Sequence, residues 1–223
     1  MKQSKLLTLL LAVAAAAVLL SGAIAVPILC RPFYYAHIGP LQLEEATGYT
    51  RSEIRTAYDE MLDYCLGGEE FSTGVLRWSE SGKAHFTDVR VLFLLDLKVL
   101  AVSAAVLILT LIAARLTKLR PARLAGRGPA FWAGAGLGGL FLILGGLAAL
   151  DFDRAFVVFH SLFFPGKTNW LFDPRTDEII NILPEVFFRN CAILILAVLV
   201  LGCAGLIVGD LWAGRKARTA EKT

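Results

Sequence analysis

The chain alternates between long uninterrupted apolar runs and polar stretches of unequal length. Four runs stand out, at residues 6–29, about 91–114, 131–150 and 190–212. A bilayer core of about 30 Å needs about 20 helical residues to cross it, and each run is near that length. Within the runs the apolar residues are continuous. They keep neither the 3.6-residue spacing of a half-buried helix nor the alternation of a half-buried strand. A spanning segment must satisfy its own backbone polar groups, so each run is read as a helix. The expected fold is an all-α membrane protein with four transmembrane helices, one membrane domain over residues 1–223. The third run carries Gly134, Gly136, Gly138, Gly139, Gly145 and Gly146, a pattern that lets membrane helices approach closely.

The first run also resembles a signal peptide, with Met1, Lys2 and Lys5 ahead of it and Ala23-Ile24-Ala25 inside it. The apolar stretch continues through Val26-Pro27-Ile28-Leu29, longer than a usual signal core. An uncleaved first helix is therefore expected.

The polar stretches 30–90 and 151–189 have their own helical signals. In the first, Cys30-Arg31-Pro32-Phe33-Tyr34-Tyr35 looks like an interfacial aromatic belt. Thr50 and Glu53 then form a capping-box pattern, with Tyr49 and Ile54 at the spacing of a hydrophobic staple. Ile54, Ala57, Tyr58, Met61, Leu62 and Cys65 share one face of the predicted helix, and Gly67-Gly68 ends it. That face must rest on the other polar stretch or on the membrane surface. The second stretch reads as a continuation of the third apolar helix, with Phe156, Phe159, His160 and Phe163 on one face. After a break at Pro165-Gly166, Asp173-Pro174 predicts a helix start, with that helix running through Ile182-Leu183 to Pro184. Together the two stretches are expected to make a small, mostly helical extracellular cap.

Charge sets the expected orientation. The loop with Arg115, Lys118, Arg120, Arg123 and Arg127 contains no acid, and the tail carries Arg215, Lys216, Arg218 and Lys222 against Glu221 alone. The two long stretches hold more acids than bases. By the positive-inside rule both termini and the basic loop face the cytoplasm, and the long stretches face out of the inner membrane. The formal net charge of +3 follows from this topology and marks no nucleic-acid surface. Cys30 and Cys65 lie on the oxidising side, either paired or as free thiols.

The three histidines, His37, His85 and His160, all fall in the outer stretches. His85 just precedes the second apolar run and His160 just follows the third, so both are expected near the outer membrane–water boundary. Histidine exchanges protons near neutral pH, which makes the pair candidate acid–base groups. The competing reading is structural, with an interfacial histidine bonding a neighbouring carbonyl. His37, in a turn region, is read as structural. No His-x-x-x-His or Cys-x-x-Cys spacing supports a metal, and no cofactor motif is present. Ser161 lacks a nucleophile-elbow context. Asp96, Lys98, Asp151 and Asp210 lie near helix ends, where snorkelling accounts for them better than a transport path.

Two tracts carry a resemblance. One is His85-Phe86-x-Asp88-Val89. The other begins Phe159-His160-x-x-Phe163-Phe164 and continues Trp170-x-Phe172-Asp173-Pro174-x-x-Asp177-x-Ile179-Ile180-x-Ile182-Leu183-Pro184 to Phe187-Phe188. Both resemble the bacterial lipoprotein intramolecular transacylase (Lit) family. The resemblance implies an enzyme that moves the sn-2 acyl chain of a diacylglyceryl lipoprotein onto the α-amino group of its N-terminal cysteine, leaving the lyso form. It implies His85 and His160 as the catalytic pair. Phe163, Phe164, Trp170 and Phe172 would shape the substrate pocket, or would pack the cap. Asp88 would orient His85, or would serve as a helix N-terminal charge. The amine is itself the nucleophile, so no serine or cysteine is required. The partners implied are the lipoprotein and membrane lipid, and the oligomeric state is left open. The alternative is a non-catalytic scaffold or accessory subunit whose cap binds a partner.

Overall fold

The computed structural model describes residues 2–220; Met1, Glu221 and Lys222, used above for charge, lie outside the described residues. Among the described residues nine helices follow in order: α1 (Lys5–Leu29), α2 (Arg31–Tyr35), α3 (Leu43–Thr47), α4 (Arg51–Cys65), α5 (Glu80–Leu116), α6 (Pro129–Leu150), α7 (Phe152–Phe163), α8 (Ile179–Ile182) and α9 (Glu185–Ala220). Among the described residues the only strands are two dipeptides, β1 (Gln3–Ser4) and β2 (Arg120–Pro121), which pair in parallel. Four helices are long and apolar enough to cross a membrane: α1, α5, α6 and the part of α9 within Glu185–Lys216. Their large apolar side chains stand exposed (Val102, Leu109, Ile143 and Leu201 all above 60%), as expected of faces solvated by lipid.

Chain contacts divide the molecule into two compact units. The first comprises residues up to 24, 97–146 and from 195 onward. Its helices approach closely where the glycine pattern predicts. A Cβ on Gly134 would lie 2.7 Å from the Cys203 carbonyl oxygen, and one on Gly138 would meet the Cys203 side chain at 3.2 Å. Asp210, expected to snorkel, is instead buried. Its carboxylate accepts from the Gly128 N–H and from Arg123, each at 3.1 Å, which ties the basic loop to α9.

The second unit, residues 25–96 and 147–194, contains both polar stretches. Its core is built on the amphipathic face of α4. The capping box at Thr50 and Glu53 is formed, and the amides of Gly67 and Gly68 close the helix by donating to the Tyr64 and Asp63 carbonyls. Ile54, Ala57, Tyr58, Met61, Leu62 and Cys65 are buried in one cluster with Tyr34, Phe86, Ile179, Ile182 and Phe187. The apolar face therefore rests on the second polar stretch. Tyr34 stacks on Tyr58 with centroids 3.7 Å apart and donates its hydroxyl to the Ile182 carbonyl at 2.9 Å. All four cysteines are free, with Cys65 in this core and Cys30 exposed.

Three local expectations are corrected. The third helix does not continue into the second stretch: Asp151 is extended and caps a new helix, α7, by accepting from the Arg154 N–H at 2.9 Å. Asp173-Pro174 does not start a helix. Its carboxylate is held by the Arg175 N–H and guanidinium, and the amides of Thr176 and Asp177 make a single turn onto the Asp173 carbonyl. The helix fails to propagate because the next residues bond elsewhere. Asp177 turns to Ser79, and Glu178 gives its N–H to the Arg77 carbonyl. Finally, α5 begins at Glu80, well before the apolar run, with Ser79 accepting from the Gly82 N–H at 3.0 Å. His85 and Asp88 are thus on a helix.

Candidate active site

His85 lies in the second turn of α5, ahead of the apolar span, and His160 in the last turn of α7. Residues from distant parts of the sequence converge here. The two ring centroids are 5.9 Å apart, inclined by 30°, and the residues are only 6% and 8% exposed.

The surroundings are aromatic. Phe164 touches both rings, at 4.9 Å from His85 and 5.6 Å from His160. Phe172 meets His85 edge-on at 5.3 Å, and Trp170 stacks on His160 at 4.6 Å. Phe156, one turn before His160, approaches it to 4.2 Å. Of the four aromatic residues expected at the pocket, Phe164, Trp170 and Phe172 lie against the two imidazoles. Phe163 does not: it is 46% exposed, and among the described residues its ring contact is with Phe159. Phe86 packs on Phe172 at 5.6 Å behind His85.

Hydrogen bonding distinguishes the two imidazoles. His160 Nδ1 is 2.8 Å from the Phe156 carbonyl oxygen. A carbonyl only accepts, so Nδ1 carries the proton and donates, which leaves the lone pair of neutral His160 on Nε2. His85 Nδ1 is buried with no hydrogen-bond partner. Burial lowers the pKa of both histidines. For His85 it falls to about 4, reinforced by His160 and Lys167 and partly offset by Asp88. For His160 the bond to Phe156 opposes the shift without reversing it. Both rings are neutral at pH 7.

Asp88 is hydrogen-bonded to groups other than His85. Its carboxylate accepts from the Lys167 ammonium and, at 3.1 Å, from Asn169 Nδ2. Burial opposes its ionisation, yet these two donors hold its pKa below the usual carboxylate range. Lys167 and Asn169 had no signal in the sequence, because a tie across about 80 positions leaves no local pattern. The Lys167 carbonyl accepts from the Trp170 indole at 3.1 Å, so the same short loop sets the ring that covers His160.

The other candidates are spent. Ser161 is exposed and donates to the Val157 carbonyl at 2.9 Å. Burial pushes the Cys65 thiol up to about 12. His37 donates from Nδ1 to the Phe33 carbonyl at 2.7 Å and packs against Phe33 and Phe187, a structural role. Among the described residues no group of three His, Cys, Asp or Glu is arranged to hold a metal ion. What remains is a pair of neutral, buried imidazoles in an aromatic cage, able to move a proton and to donate a hydrogen bond to developing charge.

The sequence matches the family model for lipoprotein intramolecular transacylase Lit over residues 9–188. Among solved structures it is similar to the membrane-integral lipoprotein intramolecular transacylase Lit from Bacillus cereus. The two are 25% identical with a TM-score of 0.85, over 96% of this chain and 97% of that one. Two further structures of the Bacillus cereus protein, with one histidine mutated to arginine or to alanine, share the fold. Each has a TM-score of 0.78, at 23% and 24% identity, over 96% of this chain and 93% and 94% of theirs. No curated protein matches the chain.

Proposed function

This chain belongs to the lipoprotein intramolecular transacylase family, bacterial integral membrane enzymes, and from that premise we propose how its histidine pair performs the transfer. The scaffold alternative is not favoured by this membership. The substrate in this reading is a diacylglyceryl lipoprotein with a free N-terminal amine. The amine nitrogen attacks the sn-2 ester carbonyl, an amide bond forms, and the bond from that carbon to the glycerol oxygen breaks. One proton leaves nitrogen and one arrives on oxygen.

His160 is the base. Its Nδ1–H is committed to the Phe156 carbonyl, so Nε2 presents a lone pair. The α-amino group titrates at about 7.7–8.0, within reach of an imidazole. The imidazolium so formed then returns its proton to the departing glycerol oxygen. His85, with a pKa near 4, is unsuited to carry a proton at pH 7. As a neutral ring it donates an N–H to the oxyanion, a role for which a depressed pKa is an advantage. The aromatic cage holds amine and ester together and keeps out water, which would otherwise take the acyl group. The segments 30–90 and 151–189 face outward in this reading, since the acid-free loop 115–127 marks the cytoplasmic side.

The observation that carries the proposal is the close, buried approach of His85 and His160. The test is expression in a bacterium lacking any such transacylase, with the N-terminal lipopeptide of a lipoprotein analysed by mass spectrometry. The expected product is N-acyl lyso-form lipoprotein, abolished by His85→Ala and by His160→Ala at normal membrane levels. Unchanged diacylglyceryl lipoprotein with the wild-type chain would overturn it.

A further inference from the structure

Asn169 lies on the loop between α7 and Phe172, next to Trp170, whose indole covers His160 at 4.6 Å. Its Nδ2 donates to Asp88, one helical turn beyond His85, at 3.1 Å. The amide is thus tied to the elements carrying both histidines. The bond also fixes which way the amide faces. A carboxylate accepts and cannot donate, so the NH2 end must meet Asp88 and the carbonyl end must point away.

That carbonyl oxygen, Asn169 Oδ1, is buried and has no hydrogen-bond partner. Lys167, the nearby cation, is engaged with the same Asp88 carboxylate. His85 Nδ1 is likewise buried without a partner. Buried polar atoms are nearly always paired, and one left unmade is costly to the fold. One such atom on His85 and another on the residue that joins Trp170 to Asp88 mark bonds that a ligand completes.

Building on the transacylase reading, we propose that Asn169 is a substrate-binding residue whose Oδ1 accepts an N–H of the substrate's α-amino group. An amide oxygen can accept but not donate, so it selects a donor. At the reacting end of the lipoprotein the amine supplies N–H donors, whereas the ester oxygens only accept. The geometry has a consequence for attack. With one N–H on Asn169 Oδ1 and another on His160 Nε2, the remaining tetrahedral direction of the neutral amine, its lone pair, is left for the ester carbon. Asp88 acts through Asn169 by holding its amide in this orientation, and is a positioning residue.

The test uses the purified full chain and two unreactive ligands. One is a glyceryl lipopeptide with ether-linked chains and a free N-terminal amine; the other is its counterpart lacking the amino group. The wild-type protein is expected to bind the amine ligand about 10- to 100-fold more tightly, the worth of one hydrogen bond to a charged or strongly polar group. Asn169→Leu is expected to narrow that preference about tenfold, leaving the part that His160 Nε2 supplies. An equal affinity of the wild type for both ligands, or an undiminished preference in Asn169→Leu, overturns the proposal. Should Asn169→Leu fail to fold, the reversed pair D88N/N169D supplies a second variant. It retains the tie and an acceptor at position 169, and must keep the preference. Turnover of an ester-linked lipopeptide by the wild type, read in parallel, separates the two claims: no N-acyl lyso product sinks the transacylase reading, while turnover without an amine preference sinks only the role of Asn169.

Discussion

The Asp177 carboxylate accepts both the backbone N–H and the hydroxyl proton of Ser79, each at 2.8 Å, just where α5 begins. Ser79 in turn accepts from the Gly82 N–H. Beside it, Glu178 takes the Arg77 guanidinium and backbone N–H, together with the Tyr49 hydroxyl. This double clamp joins the start of the His85 helix to the stretch that bears Trp170 and Phe172. It fixes His85 against its aromatic cover from six residues away.

The clamp leaves no room at Gly82. A Cβ there would lie 2.1 Å from Asp177 Oδ1 and 3.2 Å from the Phe172 ring. Neither neighbour can withdraw freely, since the carboxylate is bonded and the ring packs on His85. Gly82→Ala should cost about 1–3 kcal/mol, as overpacking usually does, and should depress transacylation even where the protein still accumulates. Thermal unfolding in detergent and the yield of N-acyl product check it. An unchanged midpoint with full activity would show that the clamp does not position His85.

Acid should destabilise the protein over a defined window. In the unfolded chain a histidine protonates near 6.5, whereas burial keeps His85 neutral down to about 4. Below 6.5 the unfolded state therefore binds the extra proton and gains. The stability contributed by neutral His85 is complete above pH 6.5 and is lost as the pH falls toward 4, by about 3 kcal/mol if the whole shift is expressed. His160 adds in the same direction. Replacing His85 with Phe should flatten the unfolding midpoint between pH 6.5 and 4 relative to wild type. Parallel curves for the two proteins would mean that His85 is not buried neutral.

Much of this architecture was legible in the residues, and for identifiable reasons. Spanning helices announce themselves through length and continuity, so all four runs are helical. The capping box at Thr50 is a local bond and was readable as one. His85 and His160 were singled out by residue type and by their matching places outside apolar runs. What escaped reading was set at long range. The helix expected from Asp173 dissolves because Asp177 and Glu178 serve Ser79 and Arg77, about a hundred positions away. The amphipathic face that takes in Phe156 and His160 was visible, but the break at Asp151 was not, because an aspartate after an apolar run signals equally an exit to water and a cap. Phe163 and Phe164 came together from the family tract, yet Phe163 ends α7 exposed whereas Phe164, its C-cap, is buried.

Ser161 offers a test of whether the amine is the nucleophile. Its hydroxyl is directed back to the Val157 carbonyl and its side chain is exposed. Ser161→Ala should keep transacylation within about twofold of wild type, inside the few tenths of a kcal/mol usual for exposed substitutions. Loss of activity comparable to His160→Ala, or an acyl-enzyme adduct trapped on Ser161 in the intact protein by mass spectrometry, would replace direct transfer with a two-step route.

The cage predicts how the reaction fails when it is opened. In the proposed mechanism transfer to the amine competes with transfer to water, and the outcome depends on what covers His160. Trp170 stacks on that ring and is anchored by its indole N–H to the Lys167 carbonyl. Phe163, by contrast, is exposed, and among the described residues its ring contact is with Phe159. Trp170→Ala should lower the yield of N-acyl product at least about tenfold, the cost of losing positioning and water exclusion at a reacting centre. It should also release free fatty acid, because water admitted to His160 Nε2 becomes a nucleophile activated by the same base. Phe163→Ala should alter neither yield, since its ring shields nothing in the site. Quantifying N-acyl lipopeptide and free fatty acid together separates the outcomes. A Trp170→Ala enzyme that slows without releasing fatty acid would show that the indole only positions the substrate. Equal effects of the two substitutions would mean that the water barrier lies elsewhere on α7.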